Sequence, residues 1–212
     1  MSARARFHGW LMRAVFAVGT AVGTGLGAIS SLAHDGVTHA VPTVVSAGDG
    51  YVRSVKSYSI PDVVLVDADA RPVRLRQLLD THDPVMMNFV FTTCGTICPV
   101  TTKVLSDVPG RLGVEGRRLR MVSISIDPEN DTPLQLKAYA RSFQAGERWK
   151  FLTGLTEDVK AVLLALDTYR GDKMNHEPVT LMRQEGGKFW VRIDGFATPD
   201  ELVREYHKAV PQ

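Results

Sequence analysis

The sequence predicts a three-layer α/β sandwich carrying an additional hairpin. Three observations lead there. From residue 63 onward, apolar runs of strand length alternate with helical periodicities. The run Val85–Phe91 is apolar without strict alternation, as expected of a strand buried on both faces. Cys94 and Cys98, the only two cysteines in the chain, follow that strand at once and open a helix. Mixed strands with crossover helices pack in layers, helices on either side of the sheet. A cysteine pair at the start of the helix after a central strand is the thioredoxin-like arrangement.

The elements follow in order. Val63–Val66 is a short strand, Asp67–Pro72 is turn-rich, and Val73–Leu75 returns, which is a hairpin signal. Leu75, Leu78 and Leu79 suggest a short helix ending near Asp80. After the strand Val85–Phe91, the residues Val100, Val104, Leu105, Val108 and Leu112 recur at spacings of three and four, giving a helix with one apolar face. Pro109 is expected to break or end it. Leu119–Ile126 is a second buried strand. Thr132 and Pro133 supply the N-cap and first position of a helix through about Phe143. Asp127, Glu129 and Asp131 precede it and read as a helix-initiating loop rather than an acidic rim. Lys150–Thr153 is a short strand. A helix from Thr156 to about Leu166 carries Glu157 and Asp158 in its first turn, where the amide dipoles favour acids. Residues 171–175 are irregular. Pro178–Met182 and Lys188–Ile193 are strands joined by the turn Gln184–Gly187. Thr198-Pro199 starts a last helix, to about Ala209.

Length and composition fit one domain behind a targeting segment: 212 residues, 44% hydrophobic and 23% charged. Residues 1–33 read as a signal peptide, with Arg4, Arg6 and Arg13, an uncharged run from Ala14 to Ile29, and a small-x-small site at Ser31-Leu32-Ala33. The alternative is an uncleaved membrane anchor, for which this glycine-containing run is short. Residues 34–60 are read as a flexible leader and 61–212 as the thioredoxin-like domain. Export places the folded part in the periplasm of a bacterium, where a cysteine pair can oxidise. Cleavage after Ala33 would expose an amine beside His34, with His39 close by, a set that could bind copper; a solvated tail is the simpler reading. The first 33 residues hold three of the 25 basic residues and no acid, so the remainder carries 22 basic against 23 acidic residues. That balance offers no basic face for nucleic acid.

The chemistry centres on Cys94 and Cys98. Four apart on a helical turn, both thiols face one side. The dipoles of a helix N-terminus favour a thiolate there. Gly95, Thr96 and Ile97 intervene, one residue more than in a redox CxxC, and the wider spacing leaves room for an ion. Two thiolates can hold Cu(I), and a third donor closes a trigonal site. His176, His82, His207 and Met174 are the candidates. Taken singly, a loop histidine is commonly a surface group, His82 suits a turn, His207 a helix face, and Met174 packing.

Four blocks then resemble one family in order. Phe91-Thr-Thr-Cys94-Gly-Thr-Ile-Cys98-Pro99 resembles the CxxxCP signature of the SCO/SenC family. The stretch Ser123 to Pro133 resembles its SxDPxxDTP block, Trp149 to Gly154 its W-x-x-LTG block, and the segment around His176, just before a strand, its histidine block. The resemblance runs from about Val63 to the C-terminus. It implies a thioredoxin-like fold with an added hairpin and copper held by Cys94, Cys98 and His176. It also implies a metallochaperone that delivers copper to the CuA site of cytochrome c oxidase, or keeps that site's thiols reduced. The partner implied is the CuA-site subunit or another copper or thiol client; membrane contact would come only through a possible N-terminal anchor. Asn175 stands where the family often has Asp, which leaves Glu177 or another group to orient the imidazole.

The competing enzyme reading is a periplasmic thiol–disulfide oxidoreductase, in which Cys94 attacks a partner disulfide and Cys98 resolves it. It needs the cysteines and not His176. A peroxidase finds no supporting motif, and a purely structural disulfide would close too small a loop to gain much stability.

Overall fold

A computed structural model of the chain describes residues 45–46 and 50–208. The expected signal segment 1–33, His34 and His39 lie outside the described residues. Among the described residues, nine strands form one mixed sheet: β1 (Val45–Ser46), β2 (Tyr51–Lys56), β3 (Val64–Asp67), β4 (Pro72–Arg74), β5 (Val85–Val90), β6 (Arg120–Ser125), β7 (Trp149–Thr153), β8 (Val179–Arg183) and β9 (Trp190–Gly195). Their order across the sheet is β1-β2-β9-β8-β5-β6-β7-β3-β4. β5, β6 and β7 run parallel, and every other pairing is antiparallel. The expected hairpin is β3–β4, which closes the edge beyond β7.

The helices are α1 (Leu75–Leu79), α2 (Ile97–Leu112), α3 (Pro133–Ser142), α4 (Thr156–Ala165) and α5 (Pro199–His207). Alternation along the central strand sorts them into layers, because successive side chains of a strand point to opposite faces. Val85, Met87 and Phe89 pack with Leu75 and Leu79 of α1 and with Val159, Val162 and Leu163 of α4. Met86 packs on the other face with Leu105, Val108 and Leu112 of α2, Leu136 of α3, and Leu202 and Tyr206 of α5. All six residues of β5 are buried, as its unbroken apolar run requires.

The starts of α3 and α5 follow the sequence closely. Thr132 and Thr198 each accept from the amide three residues on, and Gln135 and Glu201 reach back to complete capping boxes. Two expectations are corrected. Pro109 does not end α2, which continues to Leu112 before Gly113 turns the chain at φ 62°. A proline removes one helical hydrogen bond; Val108 and Leu112 on either side of it stay buried against the sheet and hold the last turn in place. The second correction concerns the leader: residues 51–56 form β2, paired along its length with β9. Its inward residues include Tyr51 and Arg53, so a buried cation hides the alternation. Arg53 Nε forms an ion pair at 3.0 Å with the buried carboxylate of Glu205 on α5, which also accepts from Tyr51 Oη at 2.7 Å. Gly195 takes φ 112° where the strands meet, and a Cβ there would stand 2.6 Å from the carbonyl oxygen of Gly50.

Candidate metal centre

Two segments supply the candidate donors, and different forces hold them. The first is the turn from β5 into α2. β5 ends at Val90, Cys94 N–H donates to Phe91 O at 3.1 Å, and the helix begins at Ile97. No side chain caps α2; instead the Cys98 amide donates to Cys94 Sγ at 3.3 Å. Cys98 is fully buried, packed with Val90 and Phe91, while Cys94 is half-buried at the surface of the turn. Both thiols are free.

This geometry divides the pair. Burial by itself would raise the Cys94 thiol, but the amides of Cys98, Thr96 and Ile97 and the thiol of Cys98 all point at its sulfur and bring it below its ordinary value. Burial pushes the Cys98 thiol up to about 12, and the neighbouring Cys94 sulfur adds to the effect. The helix start thus acidifies one thiol only, the one whose sulfur receives the amides.

The second segment is the loop between α4 and β8. Arg192, buried in β9, donates to the carbonyls of Leu166 and Asp167 and fixes the loop where it leaves α4. Arg170 pairs with Glu177 across it at 3.3 Å. Asp172 accepts from the Met174 amide at 2.8 Å and starts a short 3-10 turn, Lys173–Asn175. His176 follows and is buried. Its Nε2 lies 3.2 Å from the Phe89 carbonyl oxygen of β5. Burial holds the imidazole below its usual value, so it is neutral at pH 7, the form in which histidine binds metals.

Two acids of the loop after β6 tie both segments down. Asp131 is fully buried and accepts from the Thr92 amide at 3.1 Å, the Thr92 hydroxyl at 2.6 Å and the Ser125 hydroxyl at 2.6 Å. It therefore anchors the cysteine turn, while the capping expected of this acid falls to Thr132 alone. Asp127 accepts from Asn130 and forms a close ion pair with Lys173 of the histidine loop. Neither role could be read from helix-start rules, because the partners lie 39 and 46 residues away.

The segments meet at a pocket of about 240 Å3 lined by Cys94, Ile97, Phe91, Lys173, Met174 and His176, among others. The structure thus brings Cys94 and His176 to one pocket and keeps Cys98 directly behind Cys94. It does not close the three around a point: among the described residues, no three His, Cys, Asp or Glu side chains stand close enough to hold a metal ion. The donor set nonetheless suits a soft monovalent ion, with two adjacent sulfurs and a neutral imidazole. Glu177, a possible orienting group, is engaged by Arg170, and the Phe89 carbonyl orients the ring. His82 accompanies the β8–β9 turn, its carbonyl accepting from the Gly186 amide, and His207 sits exposed on α5. Neither lines the pocket.

Comparison with known proteins gives the same picture. The family model described as SCO1/SenC matches residues 56–211. The chain is 32% identical over 113 residues to the SCO1 protein homolog of Bacillus subtilis, covering 53% of this chain and 58% of that protein. The match therefore spans a little over half the length of that curated relative. Among solved structures, BsSco, a member of the Sco family of cytochrome c oxidase assembly proteins in which a disulfide switch was identified, is 28% identical with TM-score 0.59, covering 71% of this chain and 92% of that one. Arabidopsis thaliana ScoI with copper bound is 25% identical with TM-score 0.57, covering 67% and 94%. The fold is the thioredoxin-like α/β fold of these structures.

Proposed function

The chain belongs to the SCO1/SenC family, and from that premise we propose that it is an extracytoplasmic copper-binding metallochaperone whose cargo is Cu(I), held by Cys94, Cys98 and His176. The observation that carries this reading is the pocket shared by Cys94 and His176, with Cys98 bonded to the sulfur behind. The client in this reading is the CuA-site subunit of cytochrome c oxidase or another protein that takes copper or has its thiols reduced, a choice supported by the likeness to BsSco, a member of a family of cytochrome c oxidase assembly proteins. The basic, uncharged and small-residue order of residues 1–33 supports a periplasmic setting. Among the described residues no helix is long and apolar enough to cross a membrane.

Each group has a part. Cys94, the more accessible and more acidic thiol, meets the incoming ion. Cys98 closes the pair by giving up its proton to solvent as the metal–sulfur bond forms. His176 turns from the Phe89 carbonyl to complete a trigonal set. Transfer is then ligand exchange without change of oxidation state. Cu(I) titration of the reduced protein against a chromophoric chelator tests this. One Cu(I) per chain is expected, no binding by the Cys94→Ser/Cys98→Ser variant, and binding weakened about 10- to 100-fold in His176→Ala, the scale seen when groups around a metal are removed. Undiminished binding by either variant would sink the assignment.

The contrast between an acidified outer thiol and a buried inner one also suits a dithiol reductant of a partner disulfide. His176→Ala separates the two readings: lost copper transfer with intact disulfide reduction assigns His176 to the metal.

A further inference from the structure

The pocket that holds Cys94 and His176 has a third soft donor, and it is not Cys98. Met174 lines the same pocket. Every other described methionine is in the core: Met86, Met87, Met121 and Met182 are at most 4% exposed, whereas Met174 is 74% exposed. An exposed thioether is unusual, since methionine normally fills gaps in a core.

Its backbone is fixed while its side chain is free. The amide of Met174 donates to Asp172, the preceding Lys173 is paired with Asp127, and the amide of His176 donates to Lys173 O at 3.1 Å. The 3-10 turn Lys173–Asn175 thus presents the thioether at the mouth of the pocket, two residues ahead of the imidazole. Cys98 does not line this pocket. An ion arriving from solvent therefore meets the sulfurs of Met174 and Cys94 before it meets Cys98.

Building on the copper reading above, we propose that Met174 is a Cu(I) ligand of the loading state, receiving the ion together with Cys94 and His176 before Cys98 takes its place. In that step a Cu–Sγ bond replaces the Cys94 S–H bond, the proton leaves to solvent, and the neutral thioether adds a lone pair without releasing one. Copper stays Cu(I) throughout. A thioether discriminates: it binds Cu(I) and Ag(I) and adds little for Zn(II), which prefers thiolate, imidazole and carboxylate. The turn therefore selects for Cu(I) at the point of entry.

The test uses the full-length reduced protein with 13C-methyl methionine, titrated without oxygen, first with Cu(I) as its acetonitrile complex and then with Ag(I). The Met174 methyl signal is assigned by its loss in Met174→Leu. In Cys98→Ser, which cannot pass beyond the loading state, it is expected to shift within the first equivalent of either ion, while the signals of Met86, Met87, Met121 and Met182 hold. Met174→Leu, exposed and close in size, is expected to keep the fold and load Cu(I) about tenfold more slowly, with the final Cu(I) affinity and the Zn(II) affinity unchanged. A Met174 methyl that stays still in Cys98→Ser, while the wild type takes up Cu(I) in a Cys94- and Cys98-dependent way, overturns this inference and leaves the metallochaperone reading standing. A wild type that takes up no Cu(I) overturns both.

Discussion

The cysteine turn and the histidine loop bring donors to one pocket, yet they are built by opposite means. The turn grows out of β5, whose residues are all buried, and runs into the sixteen residues of α2. Its sulfurs are placed by core packing and by amides of the helix start. The loop has no comparable core. It is held by Arg170–Glu177, Lys173–Asp127 and the carbonyl contacts of Arg192, most of them at or near the surface. Packing is hard to deform, and partly exposed ion pairs are easily exchanged for water. One half of the site is thus preformed and the other adjustable, which fits the finding that Cys94 and His176 share a pocket without closing a three-donor cluster.

The two acids of the β6–α3 loop let this contrast be broken from either side. The largest effect is expected at the rigid half. Asp131→Ala leaves the Thr92 amide and the Thr92 and Ser125 hydroxyls without their acceptor, which costs about 3 kcal/mol of stability, the scale for buried polar groups stripped of a partner. Urea denaturation should show the lower midpoint. If stability is unchanged, the turn is not anchored through Asp131. Asp127→Asn acts on the adjustable half. The urea midpoint should stay almost where it was, while amide hydrogen exchange quickens across residues 168–177 and stays slow in α2. Equal quickening in both segments would erase the distinction between them.

The smallest effect concerns His176. Burial lowers its folded-state pKa, so the unfolded chain binds the proton more readily. Stability from this group is complete above the unfolded value of about 6.5 and is lost as pH falls toward the folded value. Apo protein in which His176 is replaced by Gln should show a flatter stability profile below about pH 6.5. An unchanged slope would mean that the imidazole is not held in its buried, neutral state.

The sequence made the rigid half far more legible than the adjustable one. An apolar run followed by two cysteines, and threonine–proline pairs heading helices, are local patterns with local causes. Asp131 looks like a helix-start residue in the sequence because its partner Thr92 is distant along the chain and polar contacts leave no periodic trace. The same holds for Asp127 and Lys173. β2 looks like leader in the sequence because a buried arginine interrupts its apolar face, and that arginine makes sense only once Glu205 on α5 is in place. Pro109 obeyed the local rule for one hydrogen bond and lost to the packing of Val108 and Leu112. Met174, set aside as packing, turned out to be the exposed methionine at the pocket.

The clasp between Tyr51, Arg53 and Glu205 has a consequence in time. β2 lies between β1 and β9, so it has no sheet neighbour from the middle of the chain. While the protein is being synthesised, this first long strand waits for β9 to pair with, and its arginine waits in water until α5 emerges with the matching carboxylate some 150 residues later. Pairing across such separations is slow. That side of the sheet is therefore finished last, and losing the final turns of α5 would leave the buried arginine of this first long strand without its carboxylate.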